Sequence, residues 1–349
     1  MREARAFICG CAGLSFSQDE RNFIRRFAPW GLILFARNID SISQVTALTH
    51  EFREILGRTD APVLVDQEGG RVQRMRPPVW RRYPSAAAFL QASEAHRAGL
   101  VRAGARLIAS ELAEVGISVD CLPVLDVPAP GGHDVIGDRA YSNDAASVAQ
   151  LGRAACEGLL AGGVLPVLKH IPGHGRAGAD SHLALPVVNA TRAELAADFA
   201  PFRALADMPL AMSAHVVYSA IDPDLPATLS PIVVSQVIRG VIGFDGLVMS
   251  DDLSMKALSG SLRDRAEASL KAGCDVVLHC NGDLDEMRLV AEGVGKLKGG
   301  AAKRATAAMA RIVHPPEPLD DGQARLRFDA LMAGKLDAAR GPDVGEAQA

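Results

Sequence analysis

The sequence predicts an α/β protein folded as a single (β/α)8 TIM-type barrel with extra C-terminal helices. Three observations predict it. Eight apolar, β-branched-rich runs recur along the chain. Segments with helical periodicity separate them. Unusual polar residues collect at the C-terminal ends of several runs, the end where a barrel of this class builds its site. The near-continuous hydrophobicity of the runs marks strands covered on both faces, as in a parallel sheet.

The first strand is expected over residues 6–13. Arg2 and Arg5 ahead of it suggest a secretion signal, but the apolar core is short and broken by glycine. Phe23, Ile24 and Phe27 then share a helical face, and Ser17-x-x-Glu20 fits a capping box. Strand two is expected over 31–36. Ser41-x-x-Gln44 opens the next helix, whose face carries Leu48, Phe52, Ile55 and Leu56. Strand three is expected over 62–66. An Ala-rich helix around 95–115 follows, with Gly116 as its stop. Strands four and five are expected over 118–126 and 165–170. Thr191-x-x-Glu194 starts a helix before strand six at 210–215. Strands seven and eight are expected over 246–251 and 275–280.

Helices near 284–297, 301–313 and 319–334 come last, with Pro315-Pro316 between the final two. Residues 1–335 are expected to form one domain and 336–349 a flexible tail. At roughly 150 residues per domain the length also permits two units. An open doubly wound sheet is the alternative. However, Gly69-Gly70 lacks the G-x-G-x-x-G spacing of a dinucleotide site.

Composition narrows the function. The net charge is −4, with 22% charged and 48% hydrophobic residues in 349. There is no basic excess of the kind that nucleic acid or an anionic membrane demands. Aromatics are only 5%, too few for base-stacking platforms. No apolar run approaches the roughly 18 residues of a membrane helix. Six cysteines stand at Cys9, Cys11, Cys121, Cys156, Cys274 and Cys280, in no zinc-ribbon spacing. Read as reduced, buried thiols, they suit the cytoplasm.

Five polar clusters end the strands. Strand three closes on Asp66-Gln67-Glu68-Gly69-Gly70-Arg71, with Arg74 behind it. The loop after strand four carries Asp134 and Ile136-Gly137-Asp138-Arg139. Strand five runs into Lys169-His170, Pro172-Gly173-His174-Gly175 and Asp180-Ser181-His182. Strands six and seven end in Ser213-Ala214-His215 and Ser250-Asp251-Asp252. One aspartate at a strand end is usually a helix cap; five clusters at one end of one barrel argue for a site.

Two chemistries fit the loop after strand five. His170, His174, Asp180 and His182 are metal-ligand types, although their spacing does not discriminate. Metal-dependent hydrolases on this barrel usually show His-x-His at strand one. Here strand one reads Phe7-Ile8-Cys9-Gly10-Cys11. The other chemistry is acid/base work. A carboxylate at Asp180 would fix the tautomer of His182 and favour its protonated form. Asp251 would then be a carboxylate able to attack, which is the arrangement of a retaining glycosidase. Asp66, Arg74, Arg139, Lys169 and His170 would bind hydroxyl groups.

The run Lys169-His170-Ile171-Pro172-Gly173-His174-Gly175, then Asp180-Ser181-His182, resembles the signature of family 3 glycoside hydrolases. More narrowly, it is similar to the bacterial cytoplasmic β-N-acetylglucosaminidases (β-hexosaminidases) of peptidoglycan recycling. Residues 66–71, 136–139 and 250–255 match the same pattern in the same order, and the resemblance covers roughly residues 5–300. Ile171 stands where the family usually has Phe, and Tyr141 follows Arg139-Ala140 where Ser-Phe is common.

The resemblance implies roles. Asp251 would be the nucleophile, His182 the acid/base and Asp180 its support. Asp66, Arg74, Arg139, Lys169 and His170 would bind a terminal N-acetylglucosamine. The implied substrate is N-acetylglucosamine β-1,4-linked to anhydro-N-acetylmuramic acid, with or without peptide. No metal or organic cofactor is implied, and a monomer is expected. Asp252 beside Asp251 is the one ambiguity in the assignment. A metal-dependent hydrolase and a non-catalytic sugar-binding barrel are the alternatives. With a histidine donor, phosphate in place of water is a further possibility.

Overall fold

Alternation of apolar residues builds the wall of the molecule. The computed structural model describes residues 4–181 and 183–333. Eight strands carry the wall: β1 Arg5–Cys9, β2 Pro29–Leu34, β3 Val63–Val65 and β4 Val119–Asp120. The second half is β5 Leu165–Ile171, β6 Leu210–Ser213, β7 Leu247–Asp252 and β8 Val276–His279. They form a closed barrel in chain order, with every neighbouring pair parallel and β8 returning to β1. Ile8, Ile33, Leu64, Val119, Val167, Met212, Met249 and Leu278 pack together in one buried cluster. Phe7, Leu32, Val65, Leu168, Ala211, Val248 and Val277 belong to a second cluster with the helices. Successive strand residues point to opposite faces. The first cluster therefore fills the barrel, the second seats the helices, and each strand reads as an unbroken apolar run.

The helices follow their signals. Ser17 and Glu20 form a complete capping box on α1 (Gln18–Phe27), as Thr191 and Glu194 do on α5 (Arg192–Ala204). The expected box on α2 (Ile42–Leu56) is only half present. Ser41 accepts from Gln44 N–H, but the Gln44 side chain turns to the Asp40 N–H and to the carbonyls of Leu14 and Asn38. The Ala-rich helix is α3 (Glu94–Glu114), with Gly116 just beyond it at φ +78°. Its flank packs on α4 (Ala145–Ala161). A π-helical segment, Val233–Val241, covers the wall between β6 and β7. Then come α6 (Leu262–Ala272), α7 (Leu284–Gly293), α8 (Gly299–Met309) and α9 (Asp321–Met332). Phe328 of α9 is buried against Tyr83, Phe89 and Gly104. The expected tail over 336–349 lies outside the described residues.

Two strands differ from expectation. Strand four is regular only over Val119–Asp120, not to residue 126. Pro123 has no N–H to donate to a ladder. The segment instead continues through Val167 N–H to Leu122 O and Leu125 N–H to Lys169 O. Strand one stops at Cys9 rather than Gly13. A Cβ on Gly10 would lie 2.5 Å from the Cys280 carbonyl, so the chain passes too close to β8 for any side chain.

The seam between β1 and β8 is fastened from the end of β2. Arg37 donates through Nε to the Cys11 carbonyl at 3.0 Å and through Nη2 to that of Cys280. Asn38 Nδ2 donates to the Cys11 and Gly13 carbonyls at 3.0 and 2.9 Å. All six cysteines are free and buried. Among the described residues no helix is long and apolar enough to cross a membrane.

Candidate active site

Four of the five residues expected to bind sugar sit in one chain of ion pairs at the C-terminal ends of β3 and β5. Arg74 Nη2 lies 3.0 Å from Asp66 Oδ2, and Lys169 Nζ lies 2.8 Å from Asp66 Oδ1. The same Lys169 Nζ is 2.6 Å from Glu68 Oε1. Arg139 grips Glu68 with both prongs, Nε and Nη2, at 2.9 Å each. Lys169 is only 2% exposed, so this ammonium has left water for two carboxylates.

The electrostatics lock the charges in place. Burial pushes Asp66 up, but Lys169 and Arg74 outweigh it and hold the carboxyl well below the ordinary range. Burial likewise opposes ionisation of Glu68, and Lys169 and Arg139 hold it down. Burial would lower Lys169, but Asp66 and Glu68 raise it. Asp66, Glu68 and Lys169 are therefore ionised across the physiological range. A site of fixed donors and acceptors suits a ligand rich in hydroxyl groups, because nothing must reorganise when it binds.

A short antiparallel pair, Gln67–Gly69 with Val72–Gln73, brings Arg74 back to Asp66. Gln67 ties the two limbs together. Its Oε1 accepts from the backbone N–H groups of Arg74 and Met75 at 3.0 Å each. Arg74 also lies over the Phe35 ring, 4.9 Å from its centroid.

His170 is held by a residue the sequence reading passed over. Its Nδ1 donates to Asp126 Oδ2 at 2.7 Å, and its backbone N–H to Asp126 Oδ1 at 3.1 Å. The backbone N–H of His174 reaches the same oxygen at 2.6 Å. Burial raises Asp126, but the charge and hydrogen bond of His170 bring it down to about 2. The His170 and His174 rings meet edge to face with centroids 5.7 Å apart. Burial, then the charge of His170, pushes His174 down to about 4, so it is a neutral imidazole at pH 7. Its Nε2 lies 3.3 Å from Ser181 Oγ. The loop is also fixed by the Tyr218 hydroxyl, which donates to the Gly173 carbonyl at 2.5 Å.

At the end of β7 the two aspartates do different things. The Asp252 carboxylate accepts from Ser254 N–H at 3.0 Å, Ser254 Oγ–H at 2.6 Å and Cys280 N–H at 3.2 Å. That binds the end of β7 to β8. The Asp251 carboxylate accepts from the Asp252 N–H at 2.8 Å. His215 supports the pair from β6, its Nε2 donating to the Asp252 carbonyl at 3.0 Å. Burial lowers His215, and the charge of Asp251 opposes this, as it does at His174. Asp251 therefore lies within the field of two imidazoles at the strand ends.

Asp180 is half-buried, and its carbonyl accepts from the N–H groups of Leu183 and Ala184 at 2.9 and 3.0 Å. Ser181 is buried, and its carbonyl accepts from Ala257 N–H at 3.2 Å. This ties the loop after β5 to the loop after Asp251. His182 lies outside the described residues. Among the described residues no group of three or more His, Cys, Asp or Glu is placed to hold a metal ion.

The sequence reading gave no role to Glu68, Asp126 or His215, and weighed His174 only as a metal-ligand type. Asp126 carried the same signal as Asp66, an aspartate closing an apolar run. Glu68 stood two residues from Asp66 inside a recognised cluster.

Comparison with known proteins shows the family. Residues 6–314 match the glycosyl hydrolase family 3 N-terminal domain. A β-hexosaminidase of Methylococcus capsulatus is 40% identical over 327 residues, covering 92% of this chain and 93% of the relative. One from Thioalkalivibrio sulfidiphilus is 43% identical over 277 residues, covering 77% and 78%. Among solved structures, NagZ from Neisseria gonorrhoeae in complex with N-trifluoroacetyl-D-glucosamine is similar with a TM-score of 0.82. Its identity is 33%, over 95% of this chain and 97% of that one.

Proposed function

The chain belongs to glycosyl hydrolase family 3, and from that premise we propose that it is an exo-acting β-N-acetylglucosaminidase. One observation carries the reading: the buried chain of charges from Arg74 through Asp66, Lys169 and Glu68 to Arg139. It offers a sugar several fixed partners at the barrel mouth, in the fold that in N. gonorrhoeae NagZ was crystallised with N-trifluoroacetyl-D-glucosamine.

In this reading Asp66, Arg74, Arg139, Lys169 and His170 seat a terminal N-acetylglucosamine. Asp251 attacks its anomeric carbon as His182, supported by Asp180, passes a proton to the departing oxygen. The glycosidic C–O bond breaks and an Asp251 ester forms. His182 then takes a proton from water, whose oxygen displaces Asp251 and restores the original configuration. The proposed substrate is N-acetylglucosamine β-1,4-linked to anhydro-N-acetylmuramic acid, with or without peptide, in peptidoglycan recycling. The enzyme acts as a monomeric, single-domain cytoplasmic protein without a metal. The six buried, free thiols support the compartment.

The test is turnover of an aryl N-acetyl-β-glucosaminide with and without chelator. Hydrolysis unaffected by chelator is expected. No turnover, or turnover lost to chelator and restored by a divalent ion, rejects the reading. The second result points to a metal-dependent hydrolase.

A further inference from the structure

Behind the charged cluster lies a carboxyl that the mechanism does not use. Asp120 is fully buried on β4. Its neighbours Val119 and Cys121 belong to the barrel-filling cluster, while its register partner Val65 belongs to the helix-side cluster. Asp120 therefore faces the helix side of the wall, in apolar surroundings. Its Oδ1 accepts from the backbone N–H of Gln67 at 3.0 Å, and its Oδ2 has no hydrogen-bond partner.

Gln67 is the residue between Asp66 and Glu68, and its side chain holds the Arg74 backbone. We propose that Asp120 is a positioning residue for the sugar-binding cluster, and that it acts as a neutral carboxylic acid anchoring Gln67. The inference rests on reading the cluster as the sugar site.

Two arguments make the neutral form the working one. An ionised carboxylate with one unpartnered oxygen, shut away from water, is costly, and such a group keeps its proton instead. Charge balance points the same way. Lys169 already serves Asp66 and Glu68, and a third anion behind them would compete for it. The groups acting on Asp120 are Lys169 from β5, Asp66 and Glu68 beyond β3, Cys121 on its own segment and Tyr141 from the loop after β4. Asp120 is raised to about 8: burial chiefly, then Asp66 and Glu68, push it up, while the Gln67 N–H and Lys169 restrain it. Above that pH the acid would ionise and, as a buried anion with one unpartnered oxygen, would shift to find a partner and disturb the Gln67 anchor.

The experiment is calorimetric titration of N-acetylglucosamine into wild-type, Asp120→Asn and Asp120→Ala proteins at pH 6.5 and 9. Asn reproduces the acceptor and shape of a neutral acid. D120N should bind within about twofold of wild type at pH 6.5, and D120A at least about tenfold more weakly, since a buried Gln67 N–H then loses its partner. At pH 9 wild type should weaken about tenfold, one unit above the proposed ionisation, and D120N by less than about threefold.

If D120N binds as poorly as D120A at pH 6.5, the charge is required and the inference is wrong. The same alkaline loss in wild type and D120N also overturns it. A wild type that binds no N-acetylglucosamine removes the sugar-site reading itself, and this inference with it.

Discussion

The Asp252 backbone N–H donates to the Asp251 carboxylate at 2.8 Å, while the Asp252 carboxylate is spent on Ser254 and Cys280. Adjacent identical residues thus hold unlike positions at the end of β7. One carboxylate fastens the strand end, and the other lies in the field of His174 and His215.

Substitution should separate them. Asp251→Asn is expected to lower turnover by at least about 10³-fold with little change in unfolding temperature. Asp252→Ala should keep turnover within about tenfold but lose about 2 kcal/mol of stability with its hydrogen bonds. A slow fluorosugar substrate should leave its sugar on the Asp251 peptide. Label recovered on Asp252 or Glu68 would reverse the assignment.

Lys169→Met should leave Asp66 and Glu68 buried without their shared cation. Removing one partner of a buried ion pair costs about 3–5 kcal/mol, to be read from urea unfolding at pH 7. The pH dependence has a defined sign. Both carboxyls are held below their unfolded values, so their stabilisation is full above about pH 4 and lost as pH falls through the folded values. In K169M that acid-side loss should shrink. An unchanged acid limb would mean that Lys169 does not set the ionisation of the pair.

His174 titrates with the opposite consequence. Its folded value, about 4, lies below the ordinary histidine value, so the unfolded chain binds its proton first. Stability should therefore fall as pH drops from about 6.5 towards 4, by up to about 3 kcal/mol. His215, also lowered, adds to the same slope. A His174→Gln variant should flatten the curve between pH 7 and 4. If wild type and variant run parallel there, His174 is not the titrating group.

A general acid matters most when the leaving group is poor. His182→Ala should therefore lose far more activity on a disaccharide than on a nitrophenyl glycoside, by at least about a hundredfold in the ratio. Asp180→Asn should show the same bias more weakly. Equal losses on both substrates would assign His182 to binding instead.

The barrel was legible because each strand is buried on both faces and the turns between strands and helices carry their own chemistry. Residues such as Ser17 and Thr191 announce helix starts by themselves. The end of strand four was not legible to the residue, since the apolar run past Asp120 keeps its pattern while Pro123 withholds a hydrogen bond. Asp66, Arg74, Arg139 and Lys169 were found because charge at a strand end is conspicuous. That Glu68 completes their chain depends on a bend at Gly69-Gly70, which only the folded backbone defines. Asp126 looked like the close of a strand. Its grip on His170 and His174 arises from a tertiary approach between β5 and the segment after β4, which no local pattern encodes.

Pairing of Ile8 with Leu278 joins the first strand of the barrel to the last. During synthesis, β1 emerges with one flank bare and stays so until nearly the whole barrel sequence has left the ribosome. Every earlier intermediate carries two open, apolar sheet edges, a configuration prone to pairing with other chains. Closure therefore comes late, after long-range contacts have formed that fold slowly by nature. Truncation anywhere before β8 would not yield a smaller barrel. It would leave an open sheet with Arg37 lacking the Cys280 carbonyl it fastens, and its expected fate is aggregation.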